Sequence, residues 1–204
     1  MAEISLLLWD VGGVLLSNGW DHSARTAAVE RFGLDPVEFE RRHQLLDADF
    51  EAGRIDWHQY LAATVFDVPR DFTPDEFRTF VEGRSTPNAA NLALARSLRA
   101  RGAWTMAALN NESRELNEFR IAKFGLADVF GSFFSSCYTG HRKPEPAAFR
   151  TALGILHRTP TEAVFVDDRP ENVAAARQLG LHAILARDPT QLRNDLADAG
   201  VAVE

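Results

Sequence analysis

The chain has 204 residues, of which 46% are hydrophobic and 25% are charged, and its formal net charge is −7. That length suits one domain, or one domain with a modest insert, and the apolar fraction suffices for a packed core. The acidic balance argues against nucleic acid as a partner, because nucleic-acid binding needs a basic surface that neutralises phosphates. A small phosphorylated ligand is still compatible with it, since a local pocket can oppose the global charge.

The first predicted element is a buried β-strand over residues 4–9, ISLLLW, a short apolar run that ends at Asp10. The run is too short to cross a membrane, and no basic leader precedes it. We therefore expect no membrane partner and a cytoplasmic location. The sequence leaves monomer and homodimer equally open.

The next segment contains no strand-like run and predicts helices instead. Asp35 and Thr73 each precede a proline, which places a capping side chain before the first helical position. These signals predict a small all-helical domain, residues 19–85, inserted into a larger domain that is formed by residues 1–18 and 86–204.

The rest of the chain alternates between predicted strands and predicted helices. The strands are residues 103–109, 132–138, 163–166 and, more weakly, 182–186. The helices are residues 88–101, 113–124, 145–153, 170–179 and 189–199. Alternation implies parallel pairing, so the predicted fold class is α/β with a Rossmann-like parallel sheet. Cys137, the single cysteine, lies in an apolar run, and we interpret it as a packed strand residue rather than a nucleophile.

Polar side chains follow the predicted strands at the edge where an open α/β sheet binds its ligands. Carboxylates with oxygen-donating neighbours suit Mg²⁺, and a lysine beside them can offset the charge of a phosphoryl group. The residues are Asp10 after the first strand, Asn110 and Asn111 after the second, Lys143 in the loop after the third, and Asp167 and Asp168 after the fourth.

Each of these residues also has a structural explanation when it is taken alone. Asp10 can cap a turn before Gly12 and Gly13, and Asp168 can cap a helix whose Glu171 completes a capping box. Chance would not place all of them in order at strand ends, so the joint pattern favours a binding site.

Four stretches of the chain resemble, in order, the four motifs of the haloacid dehalogenase superfamily of hydrolases. They are LLLWDVGGVLL, ALNNES, GHRKPEPAAF and VFVDDRPENVAAARQLG, and they extend from residue 4 to about residue 186. The helical insert matches the position and size of a type-C1 cap in that superfamily. The first motif is of the DxGG type and is similar to that of sugar-phosphate phosphatases and of the N-terminal phosphatase-like domain of soluble epoxide hydrolases.

The resemblance implies a role for each matching residue. Asp10 is the expected nucleophile, which attacks phosphorus to form an aspartyl-phosphate that water then hydrolyses. Asp10, the backbone carbonyl of Gly12 and Asp168 are expected to hold Mg²⁺, with Asp167 assisting. Lys143 is expected to neutralise the nucleophile and the phosphate, and Asn111 to bond the phosphoryl oxygens.

Two positions depart from the pattern of the superfamily. Asn110 occupies a position where serine or threonine is usual, and together with Gly13 it is expected in the phosphate-binding set. Gly12 stands where an aspartate usually serves as general acid and base, help that is typically worth about 10²–10⁴-fold. We therefore expect substrates whose leaving groups depart easily, such as anomeric sugar phosphates, acyl phosphates and aryl phosphates.

Three residues in or beside the predicted cap are candidate substrate contacts: Asn18, Trp20 and Arg54. Trp20 can stack on a sugar ring, and it is equally suited to the cap's own core.

The leading prediction is a Mg²⁺-dependent phosphohydrolase that acts on a small phosphorylated metabolite. One alternative is a haloacid dehalogenase without metal, with which Gly12 is compatible. Asp167 and Asp168 argue against it, because without a cation two adjacent carboxylates repel an anionic substrate. The other alternative is a catalytically weakened module that binds a phosphometabolite or a protein.

Overall fold

A parallel β-sheet forms the centre of the protein, whose computed structural model describes residues 3–203. Its five strands lie in the order β3-β2-β1-β4-β5, and every neighbouring pair is parallel. The predicted α/β class with a parallel sheet is therefore confirmed. The strands are β1 Leu6–Trp9, β2 Thr105–Ala108, β3 Ser132–Phe133, β4 Ala163–Asp167 and β5 His182–Leu185.

The central strand β1 positions the carboxyl ends of its two neighbours. Leu6–Trp9 pairs in register with Thr105–Ala108 on one side and with residues 163–166 on the other. Beyond the strand, Asp10 N donates to Val166 O at 2.9 Å, and Leu109 N donates to Trp9 O at 2.8 Å. The residues that follow these three strands therefore meet at one edge of the sheet.

Helices cover both faces of the sheet. Because side chains alternate along a strand, Leu7 and Trp9 pack into one core cluster and Leu6 and Leu8 into another. The helices are α5 Ala89–Arg101, α6 Arg114–Phe124, α7 Ser136–Thr139, α8 Pro146–Ile155, α9 Pro170–Gln178 and α10 Pro189–Asp198.

Four further helices lie between β1 and α5 and pack around a core of their own. They are α1 His22–Phe32, α2 Pro36–Glu51, α3 Trp57–Thr64 and α4 Pro74–Gly83, and we call them the helical segment. The side chains of Asp35 and Thr73 cap α2 and α4, as the sequence predicts. The segment is all-helical, as the sequence predicts, and its status as a separate inserted domain over residues 19–85 stays a prediction.

The two stretches of chain that connect the helical segment to the sheet are hydrogen-bonded to each other. Ser17 N donates to Thr86 O at 2.8 Å, and Thr86 N donates back to Ser17 Oγ at 2.9 Å. Asn88 N donates to Leu15 O at 2.9 Å, and Leu16 bridges Pro87 in antiparallel fashion. The connections thus form a short two-stranded ribbon.

The predicted strand over residues 132–138 is wrong beyond its first two residues. The chain leaves the sheet after Phe133 and forms the short helix α7, which contains Cys137. The hydroxyl of Ser135 donates to Asn110, and that of Ser136 donates to Glu51 O, while Phe134 N and Ser136 N still donate to the backbone oxygens of Ala108 and Asn110. Cys137 is buried in this helix rather than in a strand, and burial raises the pKa of its thiol to about 12.

The predicted end of α8 at residue 153 is also wrong, because the helix continues to Ile155. Within residues 3–203, none of the helices combines the length and the hydropathy that crossing a bilayer requires.

Candidate active site

Three carboxylates converge at the carboxyl edge of the sheet. Asp10 follows β1, Asp167 is the last residue of β4, and Asp168 comes next. One oxygen from each lies within 4.8 Å of the others. Asp10 and Asp167 are buried, and Asp168 is partly exposed. The helix α9 begins after Arg169, so Asp168 is not its capping residue and its carboxylate faces the other two instead.

Lys143 lies between two of these carboxylates. Its Nζ is 3.0 Å from Asp10 Oδ1 and 2.6 Å from Asp167 Oδ2, and its side chain is buried. Asp10 Oδ1 also accepts the N–H of Val11 at 2.7 Å, which fixes the orientation of this carboxylate.

Asn111 holds Lys143 in place through two backbone hydrogen bonds. Lys143 N donates to Asn111 Oδ1 at 2.9 Å, and Asn111 Nδ2 donates to Lys143 O at 2.8 Å. Asn111 lines the cavity described below, but its side chain is committed to the lysine loop. One of the two amide N–H groups is used in this way, so Asn111 positions the lysine loop, and its bond to the phosphoryl oxygens stays a prediction.

Asp167 is held by a residue that the sequence reading missed. Asn172 Nδ2 donates to both of its oxygens, at 3.0 and 3.1 Å, and Arg169 N donates to Oδ1 at 2.8 Å. The sequence contains a signal for this contact. Asn172 lies five residues after Asp167, on the first turn of a helix that begins close to the end of the strand.

The residues present fit a hard divalent cation. Asp168 Oδ1 is buried and has no hydrogen-bond partner among residues 3–203. The backbone at Gly13 has a φ of +76°, and a Cβ added there would overlap the Asp168 carboxylate. A glycine is thus required where the loop passes closest to the acidic group. The donors in this cluster are oxygens, as Mg²⁺ prefers.

The electrostatics of the cluster point the same way. Burial raises the pKa of Asp10 to about 8; Asp167 and Asp168 act in the same direction, and Lys143 opposes them. Burial and the neighbouring Asp167 also raise the pKa of Asp168. Carboxylates that resist ionisation in this way are stabilised as anions by a nearby cation.

A polar cavity of about 450 Å³ opens over the cluster. Six of the sequence-predicted residues line it: Asp10, Gly12, Asn18, Trp20, Asn111 and Lys143. The other charged and polar residues on its wall come mainly from the helical segment and the loops after the strands, among them Arg25, Glu40, His43, Asp47, Glu51, Glu112, Arg120, Arg142, Arg169 and Asn172.

Two of the predicted binding residues, Arg54 and Asn110, lie outside the cavity wall. Arg54 is 58% exposed, pairs with Asp49 at 2.6 Å and is not part of the cavity wall. Asn110 is buried in a network in which it donates to Asn117 at 3.0 Å and accepts from Ser135 at 2.8 Å, away from the cavity.

Trp20 reaches the cavity wall, but its ring belongs to the core of the helical segment. Its indole N–H donates to the Tyr60 hydroxyl at 2.8 Å, and its ring packs edge-on against Phe39 and Phe77. This placement matches the alternative that the sequence left open, a position in the core of the helical segment, and stacking on a sugar ring stays a prediction.

A buried ion pair on the cavity wall was also missed. Arg120 Nη1 lies 3.1 Å from Glu112 Oε2, and the arginine side chain is 2% exposed. Arg120 falls four residues after Leu116 on the buried side of α6. A charge at a buried helical position is the signal that could have revealed it, because such charges are rarely buried without a partner.

Comparison with known proteins agrees with the fold and the motifs. The family model for haloacid dehalogenase-like hydrolases matches residues 4–180. Flavin mononucleotide hydrolase 1 of Arabidopsis thaliana is 29% identical over 171 residues, which cover 80% of this chain and 66% of that protein. Bifunctional epoxide hydrolase 2 of Rattus norvegicus is 29% identical over 132 residues, which cover 63% of this chain and 24% of that protein. The chain thus spans less than two thirds of the length of either curated relative.

Among solved structures, a family enzyme from Bacteroides thetaiotaomicron in complex with magnesium and inorganic phosphate has a similar fold. Its TM-score is 0.74 at 20% sequence identity, and the alignment covers 90% of this chain and 94% of that one. Since the family model extends over most of the chain, the family that the four motifs predict is confirmed, and the protein belongs to the haloacid dehalogenase-like hydrolases.

Proposed function

We propose that this hydrolase is a Mg²⁺-dependent phosphatase that cleaves a small phosphorylated metabolite through an aspartyl-phosphate on Asp10. The observation that carries the proposal is the placement of Lys143 between Asp10 and Asp167, with the unpartnered oxygen of Asp168 beside them. Support comes from the similarity to the plant relative, a flavin mononucleotide hydrolase, and from the magnesium and phosphate in the similar structure.

The ion would be held by Asp10, Asp168 and the carbonyl of Gly12. Asp167 would assist through its contact with Lys143. When bound, Mg²⁺ would offset the negative charge of the carboxylates and of the incoming phosphate. The three side chains already lie within reach of one another, so no rearrangement of the sheet is needed.

Asp10 would act as the nucleophile. Its carboxylate attacks phosphorus, an oxygen–phosphorus bond forms, and the ester oxygen departs with its electron pair. Lys143 holds Asp10 from one side and remains charged beside the transferred group. Water then attacks the phosphorus of the aspartyl-phosphate, which releases inorganic phosphate and restores Asp10.

The cavity favours a hydrophilic substrate. Ion pairs form much of its wall, including Arg25 with Glu40 at 2.8 Å and Arg142 with Asp47 at 3.0 Å. Such groups can bond the hydroxyls of a sugar phosphate, whereas the aromatic side chains of the helical segment are mostly turned into their own core. We propose that residues 19–85 form a cap that sets the specificity for the substrate. The cytoplasmic location stays a prediction.

A panel of phosphate esters assayed with Mg²⁺ tests the proposal. We expect wild-type turnover on at least one ester and loss of more than about 10³-fold in Asp10→Asn, because removal of a nucleophile leaves only residual catalysis. Asp198→Asn, an exposed aspartate on the last turn of α10, is the matched control and should keep full activity.

Two outcomes would favour the alternatives. Turnover of a 2-haloacid that survives EDTA would assign the site to a metal-free dehalogenase. No Asp10-dependent turnover on any ester, combined with saturable phosphate binding, would assign it to a binding module.

A further inference from the structure

The space next to Gly12 is occupied by two polar side chains from other parts of the chain. A Cβ added at Gly12 would lie 3.2 Å from Asn18 Oδ1 and 3.6 Å from Arg120 Nη1. An aspartate at this position, the usual general acid, would therefore extend into the region of the Arg120 guanidinium. Gly12 itself does not have a positive φ, so its backbone conformation does not explain the absence of a side chain.

Arg120 has N–H groups that its hydrogen bonds leave unused. Its Nε donates to Ser85 Oγ at 3.0 Å, Nη1 to Glu112 Oε2 at 3.1 Å and Nη2 to Ser17 O at 2.8 Å. A guanidinium carries five N–H donors, so one N–H on each terminal nitrogen is not used by these bonds. Arg120 lines the same cavity as Asp10 and Lys143.

The surrounding loop is built closely against this guanidinium. A Cβ added at Gly19 would lie 2.6 Å from Arg120 Nη2 and 2.8 Å from Glu112 Oε2. A side chain at this position would displace the guanidinium or its carboxylate partner, and the hydrogen bonds of Arg120 to Ser85, Glu112 and Ser17 hold it in place. A group that is buried, charged and held in one place meets the requirement for electrostatic catalysis without reorganisation.

We propose that Arg120 stabilises the departing oxygen of the substrate, in the place where other family members use an acid. This inference rests on the proposed phosphatase function. As the bond between phosphorus and the ester oxygen breaks, the electron pair stays on that oxygen, and an Arg120 N–H donates a hydrogen bond to it. A guanidinium donates a hydrogen bond without transferring its proton, so the leaving group departs as an anion and takes its proton from water afterwards.

The proposal specifies a substrate class and a measurable signature. Without proton transfer, the rate of Asp10 phosphorylation should depend on the basicity of the leaving group, and the Arg120 bond should matter most for the most basic ones. Aryl phosphates that range from dinitrophenyl to unsubstituted phenyl provide the series. The measured quantity is kcat/KM with Mg²⁺, plotted against the pKa of the released phenol.

In Arg120→Met we expect a steeper plot than in wild type. The loss should be on the order of 10²-fold for phenyl phosphate and less than about tenfold for dinitrophenyl phosphate, since a lost oxyanion donor costs most where charge develops most. Arg120→Lys keeps the charge and should recover part of the loss for phenyl phosphate. A purely structural role would lower all esters equally, and parallel plots would overturn the proposal.

A double variant guards against misfolding. Arg120→Met leaves Glu112 buried without its partner, whereas Arg120→Met with Glu112→Leu removes both charges and avoids that penalty. The plot for this double variant should be as steep as the plot for Arg120→Met. If Arg120→Met does not fold, the slope measured for the double variant or for Arg120→Lys is compared with wild type instead. If wild type shows no Asp10-dependent turnover of any ester, the proposed function fails and this inference falls with it. If wild type is active and the slopes match, only the inference fails.

Discussion

The ammonium of Lys143 lies 3.0 Å from Asp10 Oδ1, in a position where the lysine side chain is 2% exposed. A charge that is removed from water to this extent depends on its partners, because desolvation has to be offset by the carboxylates around it. Burial lowers the pKa of Lys143, but Asp10 and Asp167 together raise it above its ordinary value, so the lysine is charged.

Lys143→Met should therefore impair both stability and activity. Removal of one partner from a buried ion pair costs about 3–5 kcal/mol, and the metal-free variant should lose stability of that order in a denaturant titration. Activity on a phosphate ester should fall by at least about 10²-fold. The chain's other lysine, Lys123, is exposed on the last turn of α6, and Lys123→Met is the matched control. Normal kcat in Lys143→Met would contradict the assigned role.

Gly13→Ala should abolish cation binding, because its methyl group would overlap the Asp168 carboxylate. Gly33→Ala separates this effect from backbone strain: Gly33 has a φ of +61° and nothing within 4 Å of an added Cβ. Both variants should lose roughly 1 kcal/mol to the positive φ. The Mg²⁺-dependent rise in Tm should disappear only in Gly13→Ala, and its persistence there would exclude Asp168 as a ligand.

Asn172→Ala should weaken Mg²⁺ binding by about 10–100-fold, a typical loss for an outer-shell residue. Asn172 holds both oxygens of Asp167, so its loss would free that carboxylate to rotate away from Lys143. Calorimetric titration with Mg²⁺ measures the effect, and Asn194→Ala, an exposed asparagine on α10, provides the control. Unchanged affinity would show that Asp167 needs no such support.

Glu51 should make the protein less stable as pH rises. Burial, and then Asp47, raise its pKa from 4.5 to about 7, while Arg142 opposes them. Arg142 Nε lies 2.9 Å from Glu51 Oε2 but without hydrogen-bond alignment, so the carboxylate is poorly compensated. Because the folded state binds this proton more tightly than the unfolded state, its stabilising effect is complete below pH 4.5 and is lost as the pH rises through 7.

Glu51→Gln should remove that part of the pH dependence. Relative to wild type, the variant should gain on the order of 3 kcal/mol in free energy of unfolding at pH 8 and little at pH 4. The comparison between variant and wild type cancels the contribution of Asp10, whose pKa is also raised. Glu30→Gln, at an exposed position of α1, should leave the curve unchanged. Identical curves for Glu51→Gln and wild type would contradict the assignment.

The carboxyl edge of the sheet was largely readable from the sequence. Asp10 and Asp167 end apolar runs that are buried on both faces, and the parallel order of such runs brings their ends together. Proline and capping side chains likewise marked α2 and α4. These features depend on local pattern alone, which is why they could be predicted.

Features that depend on long-range contacts were not readable. The spacing from Leu116 places Arg120 on the buried side of α6, but it does not give its partners, and Ser17 is 103 residues away in sequence. The apolar run that continues after Phe133 predicted a longer strand. The side-chain bonds of this segment to Glu51 and Asn110 involve residues distant in sequence, so the short helix α7 could not be predicted. Arg54 belongs to the predicted cap in sequence, but its side chain is exposed and pairs with Asp49 instead of facing the cavity.

The ribbon formed by residues 15–17 and 86–88 has a consequence for how a substrate gains access. Two separate flexible tethers would let the four helices slide or twist in many directions, whereas paired backbones bend mainly about one axis. We therefore expect the ribbon to act as a hinge, about which the helical segment rotates to widen the mouth of the cavity. The ribbon passes beside Arg120, so that residue would stay near Asp10 while the opposite wall of the cavity moves outward.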